Sequence, residues 1–531
     1  MLFEGVTVVD GTGGPRFVAD VAVEGDRIAA IRRHPSQSAV NTDAKPQIAT
    51  DGLTLAPGFV DMHAHADLAV LDDAAQLAKL SQGVTTQVLG QDGIGYAPVD
   101  DDALALVRRQ ISGWNGDLPD EAFTWRDTAG YLGALGAAAL GTNVAYLVPQ
   151  GNLRLLTVGS ADRPATASEL DRMRGILADS LAAGAVGMSS GLTYTPGMYA
   201  DTAELEALCA VVAAHGGYWA PHTRGYGRGA LAAFAECIGI GLRTGCAVHL
   251  THATMNFAAN RGRASELLAL VDDALAAGLD ITLDTYPYLP GSTTLAALLP
   301  SWAHEGGPDA TLARLGDVAE RERLREALEV TGSDGAHGET VDWSTIQISG
   351  VGDPALSDVV GRRVSELGQD ATAAALDLMR ADRLGTGILL HVGDEDNVRE
   401  IMRHPVHSAG SDGILVGGRP HPRAWGTFAR YLGHYTRELG VLTLEECVRH
   451  LAATPARRLG LTDRGVIREG AVADLVLFDA GTVIDRATFE DPRQPAAGIV
   501  HVLVGGEFAV RDGVRTPVAA GRVLRRPAAP E

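Results

Sequence analysis

The sequence predicts an α/β chain: a TIM-like (β/α)8 barrel with a small β-sandwich domain built from both chain termini. Three observations predict it. Between residue 56 and about residue 464, short β-type runs alternate with Ala/Leu-rich helical runs, which implies parallel strands with helical crossovers. Eight such β-type runs occur, the number that closes a barrel. Residues 1–55 and 465–531 share a related texture, with strand-like segments separated by Gly and Pro.

The elements follow in order. Val6-Thr7-Val8-Val9 reads as a strand entering a turn at Asp10-Gly11, and Val21–Ile31 as strand, tight turn and strand. At the other end, Ala473–Phe478 and Val500–Glu507 are strand-like. Strands at both ends need partners, and the simplest arrangement pairs them with each other. The expected barrel strands are Gly58–His65, Thr85–Gly90, Val144–Pro149, Val186–Ser190, Tyr218–His222, Ala247–His252, Ile281–Tyr288 and Ser408–Asp412. Glu169–Ala182 and Thr202–Ala214 have helical apolar spacing. The stretch before the eighth strand is too long for one crossover. Residues 291–350 are therefore expected to form an insertion, helical around Glu320–Val330, overhanging the C-terminal mouth of the barrel where such folds place their chemistry.

Composition narrows the function. The chain has 531 residues, 46% of them hydrophobic, ample for a large core. No apolar run reaches the roughly 20 residues of a membrane-spanning helix. The first residues lack the basic and apolar regions of a secretory signal, and Cys209, Cys237, Cys246 and Cys447 include no Cys-x-x-Cys; together these point to buried thiols in a reducing cytoplasm. A net charge of −22 argues against nucleic acid as a partner. Only Lys45 and Lys79 are lysines, so lysine-based mechanisms have almost no candidates.

The stretch Ala56-Pro57-Gly58-Phe59-Val60-Asp61-Met62-His63-Ala64-His65 runs from a turn into an apolar strand ending in His-x-His. Residues i and i+2 of a strand share a face, so His63 and His65 can reach one metal. Later strands end in Gly90-Gln91-Asp92-Gly93, Pro221-His222, Thr251-His252 and Ser411-Asp412-Gly413. Singly, a histidine is more often a partly buried core residue, and Asp before Gly is a turn signal. Jointly, they place imidazoles and carboxylates at one mouth. His249 lies three before His252 and faces the other side of its strand, so it stays outside the expected site.

His-x-His followed by His, His and Asp at strand ends five, six and eight resembles the amidohydrolase superfamily, and within it the D-aminoacylase (N-acyl-D-amino-acid deacylase) family. The matching stretches are Ala56–Asp67, Gly83-Val84-Thr85-Thr86, Gly184–Tyr194, Asp284–Tyr288 and Gly410–Tyr435, and the likeness spans nearly the whole chain. The resemblance implies hydrolysis of the amide of an N-acyl-D-amino acid by metal-activated water, with one or two zinc ions. It makes His222 and His252 ligands of a tightly held metal and places His63 and His65 at a second position. It makes Asp412 the general acid/base and Tyr286, Ser292 and Arg423 the residues that handle substrate.

This chain departs from the family at four places. Asp92 stands where the family has a cysteine; a carboxylate still binds zinc but makes the site harder, so manganese, cobalt or iron become admissible. Thr254 replaces a lysine after the strand-six histidine. Gln150 replaces a histidine, and Gly225-Tyr226 replaces an acidic pair. These changes surround the substrate and leave open a deacylase or peptidase acting on a larger molecule. A cyclic amidohydrolase of the dihydropyrimidinase kind would use a carboxylated lysine at strand four, and Val186–Ser190 has none. A non-catalytic scaffold on the same fold should have lost its ligands.

Overall fold

The computed structural model describes residues 1–34 and 47–526. Lys45, and the expected terminal β-domain at 35–46 and 527–531, lie outside the described residues.

Eight parallel strands form one sheet in chain order: Phe59–Asp61, Val84–Leu89, Asn143–Pro149, Gly187–Gly191, Tyr218–His222, Ala247–Leu250, Ile281–Thr285 and His407–Ala409. The Met62 amide donates to the Ala409 carbonyl at 3.2 Å and joins the last strand to the first. Every residue of the second and third strands is buried, as expected where helices cover one face and packed side chains the other. The stretch expected as one strand, Gly58–His65, is two pieces. It breaks at Met62-His63, and Ala64–His65 then pairs in parallel with Gly413–Ile414 beyond the eighth strand. That switch of partner brings the His-x-His motif against the loop that carries Asp412.

The helices between strands follow from local sequence. Ala167–Ala182 starts at a capping box, in which Thr166 and Glu169 satisfy each other's backbone amides, an arrangement worth about 1 kcal/mol. Its Met173, Leu177, Ser180 and Leu181 lie on one face and are buried in the barrel's outer core.

Both chain ends enter one nine-stranded sheet. Thr54–Pro57 sits at its centre, parallel to Leu2–Val8 and antiparallel to Leu475–Phe478. Phe3, Val6, Val8, Val21, Leu475 and Leu503, from strands of this same sheet, form one buried cluster, so the sheet closes over its own core as a sandwich. The alternate residues Val476, Phe478, Val502 and Val504 pack against the barrel side, with Phe428 and Tyr431.

The insertion is larger than 291–350. It has a three-stranded antiparallel sheet whose central strand, Gly387–Leu390, comes last in sequence, between Gly291–Thr294 and Ile346–Gly350. The helices Pro308–Gly316, Val318–Glu326 and Ala371–Ala381 cover it around a core of Leu295, Leu315, Leu324, Leu376, Met379 and Ile388. A four-residue apolar strand that far down the chain carries no periodic signal linking it to residue 291, which is why the sequence places the boundary too early.

Among the described residues no helix is long and apolar enough to cross a membrane, and all four cysteines are buried and unpaired.

Candidate metal centre and active site

His63, His65, Asp92, His222, His252 and Asp412 all meet at the C-terminal mouth of the barrel. Their ligand atoms form two groups: His63, His65, Asp92 and Asp412, and Asp92, His222 and His252, each within 4.8 Å of one another. Asp92 belongs to both. Its Oδ1 lies 3.6 Å from His63 Nε2 and 3.5 Å from His252 Nε2; its Oδ2 lies 3.5 Å from His65 Nε2 and 3.7 Å from His222 Nδ1. His222 Nδ1 and His252 Nε2 face each other at 3.1 Å.

The backbone that presents these groups is unusual. Asp92, His252 and Asp412 have φ of 55°, 29° and 48°, in the left-handed region that non-glycine residues avoid at a cost of about 1–3 kcal/mol each. Each follows the end of a strand by two or three residues, and the reversal swings its side chain into the mouth. The two Asp-Gly pairs are therefore turns and site residues at once. The Asp412 amide donates to the His63 carbonyl at 2.8 Å, locking the two loops together.

A layer behind the site orients it. Thr193 Oγ1 lies 2.7 Å from His222 Nε2. Asp284 Oδ1 accepts from the His252 amide at 2.7 Å, and Oδ2 lies 2.8 Å from His249 Nε2. His249 thus points behind the site, with Thr282 on its other nitrogen. Lys79 is also behind it: Nζ donates to Asp61 Oδ2 and to Ser411 Oγ, each at 2.7 Å, bridging the first strand to the loop after the eighth. Gln150 is bound to Glu204 rather than to the site. Thr193 and Asp284 were not singled out by the sequence, although both fall in stretches whose pattern is readable, two and one residues from strand ends. The expectation that the chain carries no Gly-x-Ser-x-Gly is corrected by Gly187-Met188-Ser189-Ser190-Gly191, which matches that pattern of serine hydrolases. Here it is the fourth strand itself and not a strand-to-helix turn, and Ser189 Oγ bonds the backbone of Gly90 and Gly93.

The residues fit a cation. Both ring nitrogens of His63, Nδ1 of His65 and Oδ1 of Asp92 are buried without a hydrogen-bond partner, and groups of this kind are rare unless something else satisfies them. Burial works against charge on His65, but Asp412 and Asp92 outweigh it and push the imidazole up to about 9. Burial raises Asp92 and Asp412, yet the surrounding histidines hold Asp92 well below the usual carboxylate range, and Arg423 with His63, His65 and His252 does the same for Asp412.

Arg423 Nη2 lies 2.9 Å from Asp412 Oδ1, and the guanidinium stacks 4.4 Å above the Tyr286 ring. Its Nε and Nη1 are buried and unpartnered. Burial pushes the Tyr286 hydroxyl up to about 12, so it stays a donor. Tyr286 and Ser292 line the cavity over Asp92, His222, His252 and Asp412. Ser292 Oγ also donates to Ile388 O at 3.1 Å. The insertion supplies the cavity's outer wall through Thr293, His337, Leu390 and Val392. A second cavity opens beside it along Trp114 and Tyr194, whose rings are 4.7 Å apart, Trp114 also packing 5.5 Å from His65.

The family model described as "Amidohydrolase family" matches residues 48–510. The chain belongs to the amidohydrolase family. This amidohydrolase is 40% identical to an N-acyl-D-glutamate deacylase of Alcaligenes xylosoxydans xylosoxydans over 99% of this chain and 97% of that one. It is 35% identical to a D-aminoacylase of the same organism, over 100% and 98%. Among solved structures it resembles N-acyl-D-glutamate deacylase from Bordetella bronchiseptica, complexed with zinc and a phosphonate inhibitor that mimics the tetrahedral intermediate. There the TM-score is 0.82 at 35% identity, covering 99% of each chain.

Proposed function

We propose that this amidohydrolase cleaves the linear amide of N-acyl-D-amino acids by metal-activated water, with Asp412 as general acid/base. The observation that carries the reading is Asp412 itself: one carboxylate touches both the histidine cluster, 3.2 Å from His65 Nε2, and the cation suited to a substrate carboxylate, 2.9 Å from Arg423. Full-length relatives named for N-acyl-D-amino-acid deacylation support the substrate class.

His222, His252 and Asp92 would hold one ion, and His63, His65 and Asp92 a second, with Asp412 at its edge. When bound, a zinc-type ion supplies a Lewis acid and a water whose pKa falls to about 7. The all-oxygen-and-nitrogen donor set also admits manganese, cobalt or iron. Asp412, held ionised by its neighbours, receives the water's proton and passes it to the leaving nitrogen. Arg423, a fixed cation beside Asp412 and Tyr286, would attract the substrate's α-carboxylate. Tyr286 donates toward the amide oxygen as charge develops there, and Ser292 borders the same space. The buried unpaired thiols support a reducing, cytoplasmic setting.

The test is Asp412→Asn, assayed on N-acetyl-D- and N-acetyl-L-amino acids with metal content measured. Turnover of the D-substrates should drop by about 10²–10⁴ with metal retained. Near-normal turnover removes Asp412 from the mechanism, and hydrolysis confined to L-substrates removes the proposed chirality.

A further inference from the structure

One wall of the cavity carries no charged residue type. It is made by the loops after the fifth and sixth strands, through Tyr226, Thr254 and Phe257, and by the insertion, through His337 on a turn and Leu390 and Val392 at the end of its central strand. No Lys or Arg stands on this wall; Arg423 lies instead against Asp412 and Tyr286.

The turn that carries His337 is clamped. Its amide donates to Asp334 O, and Ser333 and Glu339 pair across it. Ser333 Oγ donates to Leu298 O at 2.8 Å, and Glu339 accepts from the Arg228 amide at 2.7 Å and from its guanidinium. Gly227 permits the docking, because a Cβ there would lie 2.5 Å from the His337 carbonyl. The imidazole packs 5.4 Å from Tyr226, 5.8 Å from Phe257 and 6.3 Å from His222. Its backbone sits at φ 61°. Yet Nδ1 is buried with no partner. Strain held in place by a clamp, around a buried group left unsatisfied, is the mark of a position kept for a ligand.

Chemistry says which part of a ligand reaches it, granted the N-acyl-amino-acid reading above. Carboxylate and side chain leave the same carbon. With the carboxylate at Arg423, beside the seventh strand, the side chain falls on the adjoining wall from strands five and six. The acyl group leaves the other end of the amide, towards Trp114 and Tyr194. We propose that His337 is a specificity-determining residue that reads the amino-acid side chain of the substrate, and that the side chain it accepts is uncharged and carries a hydrogen-bonding atom. An acidic side chain would meet a wall with no cation, in a chain whose net charge is already −22.

The experiment compares kcat/KM of the zinc-loaded enzyme for N-acetyl-D-glutamine, N-acetyl-D-methionine and N-acetyl-D-glutamate. The unmodified enzyme should favour glutamine over glutamate by about 100-fold. His337→Arg should shrink that ratio at least about tenfold, and His337→Phe should cost glutamine about tenfold through KM while methionine changes little, as loss of one hydrogen bond predicts. Equal use of glutamate and glutamine by the unmodified enzyme overturns the proposal without any variant. So do unchanged ratios in both variants at intact zinc content. No hydrolysis of any of the three overturns the deacylase reading and this proposal with it; selective hydrolysis insensitive to residue 337 overturns this proposal alone.

Discussion

Thr193 Oγ1 lies 2.7 Å from His222 Nε2, so Nδ1 is the nitrogen that His222 turns to Asp92. A hydroxyl that fixes the outer nitrogen of a ligand imidazole sets both its tautomer and its aim. Thr193→Val keeps the shape and removes the oxygen. Metal affinity, measured by competition with a chelator, should weaken by about 10–100-fold. Unchanged affinity would mean that His222 is held by packing alone.

Asp92 is shared between the two ligand groups, whereas each histidine belongs to one. Asp92→Ala should therefore lower occupancy at both positions, and His222→Ala at only one. Metal content after dialysis distinguishes them. Equal stoichiometry in Asp92→Ala and the unmodified protein would sink the shared role.

Lys79 and Asp61 form a buried pair at 2.7 Å under the site, 1% and 0% exposed. Lys79→Met strands a carboxylate in the interior and should destabilise by about 3–5 kcal/mol, whereas replacing both partners with apolar residues should recover most of it. Thermal or urea unfolding of the single and double variants reads this directly. A nearly neutral Lys79→Met would show the carboxylate to be rescued by Ser411.

Acid sensitivity should come in part from His450. Burial, reinforced by Arg449, pushes its imidazole down to about 3, and its Nδ1 lies 3.3 Å from that of His407, which burial and His450 also hold low. A folded pKa below the unfolded value of about 6.5 means that the unfolded chain binds the extra proton. The stabilisation is complete above pH 6.5 and is lost as pH falls toward 3, by up to about 1.4 kcal/mol per pH unit. His450→Gln should flatten the fall in melting temperature between pH 6.5 and 4; an unaltered slope would assign it to other groups.

The barrel and the convergence of the candidate ligands were legible because each of these residues sits within three residues of an apolar run whose period identifies a strand. His63, His65, His222 and His252 follow from that alone, and Asp92 and Asp412 from Asp-Gly turns at the same level. What stayed hidden depends on contacts between distant segments. His337 is on no periodic element, and only the folded insertion brings it to His222 and Tyr226. Residue 350 is where the sequence's pattern ends the insertion, whereas the sheet begun at Gly291 has as its middle strand Gly387–Leu390, almost a hundred residues later. Three left-handed site residues also escape pattern reading, since side-chain type at Asp and His permits that conformation without demanding it.

Pro57 pairs with Leu475, across the whole barrel and insertion. On the ribosome, the partner for the first strands therefore emerges last, roughly 20–80 s after them at about 5–20 residues per second. Through that interval Thr54–Pro57 is an open strand edge, and the apolar face of Phe3, Val6 and Val8 waits for Leu475 and Leu503 to cover it, which exposes the nascent chain to clumping.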